Sequence, residues 1–384
     1  MSTHAVLSPS SAGRWLACTP SARLEQQFPD HSGEAALEGV LAHALAELML
    51  RSLSSGQPGS YSDEVSSIKQ NSRYSEDMLY HVETYVTFVE NQLREAREIT
   101  PDAVLLIEQH LDLRTWVPDG FGTADAVIIA DDLMEIIDLK FGKGVPVSAT
   151  DNRQMMLYAL GAIYKFGIAY DIHAVRMTIY QPRLDNVSTF EMSAYALQLW
   201  ADTSLAPLAR LAFAGEGDFI PGDHCRFCKA RAQCKALADQ NLVLAKHDFK
   251  DQTLLSDKQV SSILLLADQF KRWLSDLEEF ALSAAVNFGK QWPGLKLVEG
   301  RSIRTWTSQD EVARTLIHAG IPEAIIYERK LLGLTAMEKV LSKKTFNDLL
   351  SGLIIKPQGK PALVPLDDKR SELNSASKDF SAEP

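Results

Sequence analysis

The sequence predicts an α/β protein: a central mixed β-sheet flanked by helices, followed by a mostly helical C-terminal region. Three observations carry that expectation. Between Ala103 and Gly142, three runs of apolar and β-branched residues, AVLLIEQHLDL, GFGTADAVIIA and LMEIIDLKFG, are separated by turn residues at Pro118-Asp119-Gly120 and Asp131-Asp132. On either side of these runs apolar residues recur at helical spacing. From Asn241 onward the pattern is helical or irregular, with one long helix expected over Lys258 to Asn287.

The composition agrees with a folded chain of more than one domain. It has 384 residues, 46% of them apolar and 23% charged, without excess Gly or Pro. A net charge of −11 disfavours a general polyanion binder and leaves room for local basic patches. No apolar run reaches the roughly 18–20 residues of a membrane span, since Ile263 to Ala267 is broken by Asp268. The opening MSTHAVLSPSSAGRW lacks a basic segment followed by an apolar one, so the chain is expected in the cytoplasm and away from membranes.

Taken in order, Ser8, Ser10 and Ser11 surround Pro9 ahead of a short helical start at Arg14 to Cys18. A longer helix is expected over Glu34 to Leu53, with Leu37, Leu41, Leu45 and Leu48 along it; His43 and Glu47, four apart, share a face. Residues 54 to 75, rich in Ser and Gly, read as a loop, and Glu76 to Ile99 as a helix carrying Met78, Val82, Val86 and Val89. The three β-rich runs form an antiparallel meander. A helix containing Arg153 to Phe166, a strand near His173 to Gln181 and a helix from Ser193 to Ala214 complete the core. The expected divisions are 1–240, 241–365 and a polar tail from Leu366, residues 366–384.

The densest polar chemistry lies on the meander. Asp125 sits in GTAD on one strand and Asp138-Leu139-Lys140 on the next. Residues two apart in a strand project from one face, so Lys140 stands beside Asp138 inside the apolar run IIDLKF. Two charges there are costly unless paired or bound to a ligand; a half-exposed ion pair explains the tripeptide equally well. Two carboxylates and a histidine could hold Mg²⁺ or Mn²⁺, with His43 the imidazole and Glu108, on the preceding strand, a further carboxylate. Singly, His43 reads as a helix-surface histidine and Glu108 as a solvated strand residue. Gln154 and Tyr158, four apart in RQMMLYALG, share a helix face from which an amide and a phenol could contact a nucleic-acid backbone or brace the lysine.

The cysteines are uneven: Cys18 stands alone, while Cys225, Cys228 and Cys234 form a C-x2-C-x5-C group. By ligand count four thiolates suit Zn²⁺ or an iron–sulfur cluster, and His224 could substitute in a zinc site. Around them Arg226, Lys229, Arg231, Lys235, Lys246 and Lys250 oppose Asp223, Asp239 and Asp248, a locally basic stretch in an acidic protein and a candidate DNA contact face.

This ordered set resembles the PD-(D/E)XK nuclease superfamily, specifically its RecB-like, AddB-like branch with an iron–sulfur staple. That branch has a helical histidine, a G-x-x-D strand, a (D/E)-x-K strand and a Q-x3-Y helix, matched by His43, Gly122 to Asp125, Asp138 to Lys140, and Gln154 to Tyr158. The resemblance covers residues 8 to 240. It implies a restriction-endonuclease-like core and a metal site of His43, Asp125 and Asp138. It also implies Lys140 as a catalytic residue with Asp125, Asp138 and Glu108, and Gln154 and Tyr158 as substrate-positioning groups. Cys18, Cys225, Cys228 and Cys234 would hold a 4Fe-4S cluster, Zn²⁺ being the alternative. LSPSSAGRWLACTPSARLE, GFGTADAVII…IIDLKFGKGV and GLKLVEGRS also resemble a phage and prophage family of unknown function over nearly the whole chain.

The expected function is therefore a Mg²⁺- or Mn²⁺-dependent deoxyribonuclease, an exonuclease, encoded by a phage or prophage in a bacterial cell and acting in DNA recombination, replication or repair. No G-x4-G-K-(S/T) motif is present, so unwinding would need a helicase or a recombination or annealing protein as partner. The alternative is a non-catalytic DNA-binding accessory protein that retains the nuclease fold. Oligomeric state is not legible in the sequence.

Overall fold

The computed structural model describes residues 5–29, 33–55, 61–245, 256–299, 306–327, 331–341, 343–355 and 364. The chain divides into two compact units. The first runs through residue 255 and takes in Gln269–Phe280; the second comprises Ser256–Asp268 and the chain from Ala281 onward.

The first unit opens with two single-turn helices, α1 (Ala12–Trp15) and α2 (Ser21–Leu24), followed by α3 (Glu34–Ser55), α4 (Ser62–Lys69) and α5 (Glu76–Ile99). An eight-residue helix thus sits inside the stretch that the Ser and Gly content had marked as loop: Asp63 and Glu64 lie in the first turn of α4 and Lys69 ends it, charges that favour those ends. On α5 the Ser75 side chain accepts a hydrogen bond from the Met78 N–H, and Met78, Val82, Tyr85, Val86, Val89 and Leu93 form one buried stripe.

The sheet follows: β1 (Val104–Asp112), β2 (Phe121–Ala130), β3 (Leu133–Leu139), β4 (Ala174–Gln181) and β5 (Asn186–Ser193), in that spatial order. β1, β2 and β3 form the expected antiparallel meander. β3 and β4 are parallel, joined by the crossover helix α6 (Arg153–Phe166), and β5 returns antiparallel to β4. The sequence had left β5 unassigned. Its residues alternate between half-buried and exposed, as an edge strand covered on one face requires, and Asp185, at φ 50°, turns the chain into it.

Period-two alternation sends neighbouring residues to opposite faces. Val127, Ile129, Met134 and Ile136 join a core with Trp15, Leu111, Met155, Leu160 and Val175. Ala126, Ile128, Ile137 and Leu139 join a second core with Leu45, Leu50, Val82 and Tyr85. The sheet is therefore covered by α6 on one side and by α3 and α5 on the other. After β5, α7 (Ala194–Trp200), a π-helical turn (Ala201–Leu205) and α8 (Ala206–Ala214) occupy the place of the single helix expected from Ser193. α9 (Lys235–Ala245) ends the continuous part of the first unit.

The long helix expected over Lys258 to Asn287 is α10 (Asp257–Phe288), closed at its start by reciprocal hydrogen bonds between Ser256 and Gln259. It is followed by α11 (Gln309–His318), α12 (Glu323–Ile326), α13 (Leu334–Val340) and α14 (Lys343–Leu350). Among the described residues no helix is long and apolar enough to cross a membrane. The tail from Leu366 lies outside the described residues.

Candidate active site and candidate cysteine centre

The G-x-x-D, D-x-K and Q-x3-Y segments meet at one end of the sheet. Asp138 is 2% exposed near the end of β3, and Lys140 lies just past it, its N–H bonded to the Tyr180 carbonyl on β4. The ammonium stands 2.9 Å from Asp138 Oδ2, as the shared strand face predicts. On α6 the Asn152 side chain caps the helix by accepting from the N–H groups of Gln154 and Met155, which places Gln154 in the first turn. Gln154 Oε1 accepts from Lys140 Nζ at 2.9 Å, while its Nε2 donates to Asp138 Oδ1 and Tyr158 OH, both at 3.1 Å. One amide thus fixes an acid, a base and a phenol.

Gly122 explains why this motif begins with glycine. A Cβ there would stand 2.9 Å from Cε1 of Tyr158 and 2.7 Å from Cγ of Pro9. The glycine lets the Tyr158 ring lie against β2.

Asp125 is held from two sides. Its Oδ2 accepts from the Leu139 N–H at 2.8 Å, and its Oδ1 lies 3.3 Å from His43 Nδ1 on α3. Burial works against the charged imidazole of His43, but the Asp125 carboxylate, with Asp138 behind it, outweighs burial and raises its pKa to about 9. The two aspartates diverge. Burial raises Asp138 against the pull of Lys140, with Asp125 adding to the rise; for Asp125, His43 and the Leu139 N–H overcome burial and lower it.

Glu108 is the strained member. β1 pairs Ile107 with Ala126 and Gln109 with Ala124, passing over Glu108 and Asp125, and Glu108 has φ 50°. A left-handed residue other than glycine in a strand costs about 1–3 kcal/mol and persists where its surroundings enforce it. The distortion brings Glu108 into a depression lined by His43, Glu47, Leu50, Tyr85, Asp125 and Leu139. Burial first, then the Asp125 and Glu47 charges, raise its carboxyl to about 7.

The structure therefore places the residues expected at the carboxylate site in two groups, Asp138 with Lys140, Gln154 and Tyr158, and Asp125 with His43 and Glu108, while the four cysteines lie apart. Sequence reasoning missed Tyr85. Its only mark is a polar tip within the apolar stripe of α5; Glu47, four residues after His43, was recognised as sharing its face but not as lining the site.

Cys18, Cys225, Cys228 and Cys234 line one cavity with Arg14, Leu24, Ile220, Pro221 and His224. The N-terminal segment is tied to the later one by Glu25, which accepts from Arg14 Nε and from the Lys229 N–H, each at 2.7 Å, and by Arg23 Nε donating to the Phe213 carbonyl at 2.6 Å. Burial raises the thiols of Cys225 and Cys228, the latter to about 12 with the Glu25 charge assisting. His224 Nε2 lies 2.9 Å from the Ile220 carbonyl, leaving Nδ1 as its uncommitted ring nitrogen for a zinc site. Among the described residues no three His, Cys, Asp or Glu side chains converge closely enough to hold a metal ion, at this cavity or at the carboxylates. Sharing a cavity lining is thus a looser arrangement than ligation.

The basic stretch is partly internally paired: Arg231 Nε lies 2.8 Å from Asp276 and the Arg226 guanidinium lies 5.6 Å from the Phe227 ring centroid. Lys246, Asp248 and Lys250 lie outside the described residues.

Among solved structures, one described as the crystal structure of SSO0001 is 15% identical, with a TM-score of 0.23; the match covers 57% of this chain and 95% of that one. A family profile described as "Protein of unknown function (DUF2800)" matches residues 4–371. The chain belongs to the DUF2800 family.

Proposed function

We propose that this protein is a divalent-cation-dependent deoxyribonuclease, an exonuclease with a PD-(D/E)XK core of the RecB-like type, acting in phage or prophage DNA recombination, replication or repair. The observation that carries the reading is the Asp138, Lys140 and Gln154 network: a buried carboxylate and an ammonium held together by one glutamine at a sheet end. A purely structural ion pair gains little from such burial, because desolvation offsets the attraction.

By donor type, though not by their placement, the residues suit a cation. Among the described residues Asp138 Oδ2 is buried without an aligned hydrogen bond, and the Lys140 ammonium lies 2.9 Å from it. His43, Asp125 and Asp138 supply the imidazole and carboxylate donors that Mg²⁺ or Mn²⁺ takes. When bound, such a cation polarises a phosphodiester and makes a water more acidic. Lys140 would face the charge developing on phosphate, Gln154 would hold Lys140 in place, and Tyr158 would hold Gln154. The His43 imidazolium would give up its proton to become a ligand.

The four thiols suit a 4Fe-4S cluster or Zn²⁺ by donor type, serving to tie the chain's beginning to the segment after the core. Visible absorption of protein purified without oxygen separates them, since zinc gives none. DNA would be the substrate, with a helicase or a recombination or annealing protein as partner.

One observation favours a second reading, a DNA-binding accessory protein: the carboxylates are already paired, Asp125 with His43 and Asp138 with Lys140, so the network is charge-balanced without a cation. Degradation of end-labelled single-stranded and duplex DNA with Mg²⁺ or Mn²⁺ decides between them. Cleavage by the wild type that Asp138→Ala lacks, with DNA binding retained, is expected of the nuclease. An inert wild type that binds DNA would leave the accessory reading.

A further inference from the structure

The sheet face that carries Asp125 continues past it toward the start of β2. Ala124 joins the core under α6 and Gly122 lies against Tyr158, so alternation sends Phe121 and Thr123 to the opposite face with Asp125, the face that meets His43 of α3. On the edge strand β1, His110 pairs with Thr123 and Asp112 with Phe121. The rings of His110 and Phe121 stack across the two strands, 5.5 Å between centroids and 18° between planes. His110 and Thr123 are exposed and Phe121 is half-buried, so the stack meets solvent through its imidazole. A ring pair that only braced the sheet would gain more from being buried, since apolar area left in water adds nothing. The charge beside it is positive: Lys165 on α6 donates to Gln109 Oε1 and to the His110 carbonyl, each at 3.0 Å and each neutral, while Asp112 is balanced by Arg114. Two residues before His110 stands Glu108, in the depression it shares with His43 and Asp125.

Resting on the reading of DNA as the substrate, we propose that His110 and Phe121 form a stacking platform for an unpaired base of single-stranded DNA, with Lys165 taking a phosphate of the same strand. Every base offers a π-face, so such a platform accepts any sequence, but it needs the base free of its duplex partner. A strand laid on His110 runs along the face on which Asp125 and Glu108 lie, which makes the unpaired strand, and not the closed duplex, the form that reaches the carboxylates.

The test uses full-length wild type, His110→Ala, His110→Tyr and Lys165→Gln without divalent cation, so that binding is read apart from cleavage. Affinity for a fluorescein-labelled oligothymidylate and for a duplex of equal length is followed by anisotropy, and cleavage of end-labelled DNA with Mg²⁺ or Mn²⁺ is measured separately. His110→Ala is expected to bind the single strand about fivefold or more weakly with duplex binding unchanged, while His110→Tyr stays within about twofold of wild type. Lys165→Gln is expected to lower the slope of log affinity against log salt by about 0.7. Single-strand binding by His110→Ala equal to wild type, or an equal loss on the duplex, overturns the platform and leaves the nuclease reading standing where wild type cleaves. An unchanged salt slope overturns the part given to Lys165. The expected losses with no cleavage by wild type uphold the platform and remove the nuclease reading. A wild type that binds no single strand overturns the platform outright.

Discussion

The carboxylate site and the cysteine cavity bury reactive groups in opposite ways. At the carboxylates each charge has a partner supplied by regular structure: His43 from α3, the Leu139 N–H from β3, Gln154 from the first turn of α6. At the cysteines the thiols share only a cavity lining, and burial makes ionisation of Cys225 and Cys228 harder. The first arrangement holds charge ready at a fixed geometry. The second keeps Cys225 and Cys228 neutral, and a metal there would have to draw their protons off. On the proposed reading the sheet end would carry the chemistry and the cavity the cohesion.

The largest expected effect tests the chemical half. Asp138→Ala should lower DNA cleavage by about 10³-fold or more, to background, with the fold intact by circular dichroism. Retained cleavage would place the chemistry elsewhere.

Cys228→Ser should do the converse. On the proposed metal-bound reading, loss of this thiol is expected to cost about 3 kcal/mol, a fall of order 5–10 °C in thermal midpoint, with cleavage per folded molecule unchanged. Lost activity at an unchanged midpoint would erase the division of labour between the two regions.

Gln154→Ala sharpens the contrast within the carboxylate site. It removes the group that fixes Lys140, so kcat should fall about tenfold while DNA affinity holds; a change in KM alone would make Gln154 a substrate contact.

The smallest effect is on stability. The Glu108 carboxyl is raised from 4.5 to about 7 in the folded chain. Between those values the folded protein keeps a proton that the unfolded chain has released, so this residue's effect on stability is a loss as pH rises through the window, and the loss persists above it. Glu108→Gln should therefore raise the thermal midpoint by about 2–4 °C at pH ~8 and leave it unchanged near pH ~4. Equal shifts at both pH values would assign the effect to packing.

What the sequence disclosed, it disclosed through periodicity. The bounds of α5 and α6 follow from apolar spacing closed by Ser75 and Asn152, and Asp138 with Lys140 follows from the two-residue repeat of a strand. β5 escaped because NVSTFEMS carries few strand-forming residues and has only one covered face. The short helix at Ser62–Lys69 escaped because its serines read as loop. The left-handed backbone of Glu108 has no sequence signal, since glutamate does not favour it, and it arises only when β1 must pass Asp125 beside α3. Tyr85 was hidden for another reason: its ring belongs to the buried core, and a hydroxyl's lack of a partner among the described residues exists only in three dimensions.

The crossover from β3 through α6 to β4 has a consequence for how the protein reaches its native state. Gly122, Asp125, Asp138, Lys140, Gln154 and Tyr158 all fall within residues 121–158, so most of the carboxylate site belongs to one strand–strand–helix stretch of short sequence separation. Contacts of short separation incur little loop-closure entropy and tend to form early, whereas the His43 to Asp125 pair closes a loop through α4, α5 and β1. A full-length chain folding from the unfolded state can therefore assemble the acid, the lysine and their glutamine brace before the imidazole docks, and docking of α3 becomes the step that completes the site.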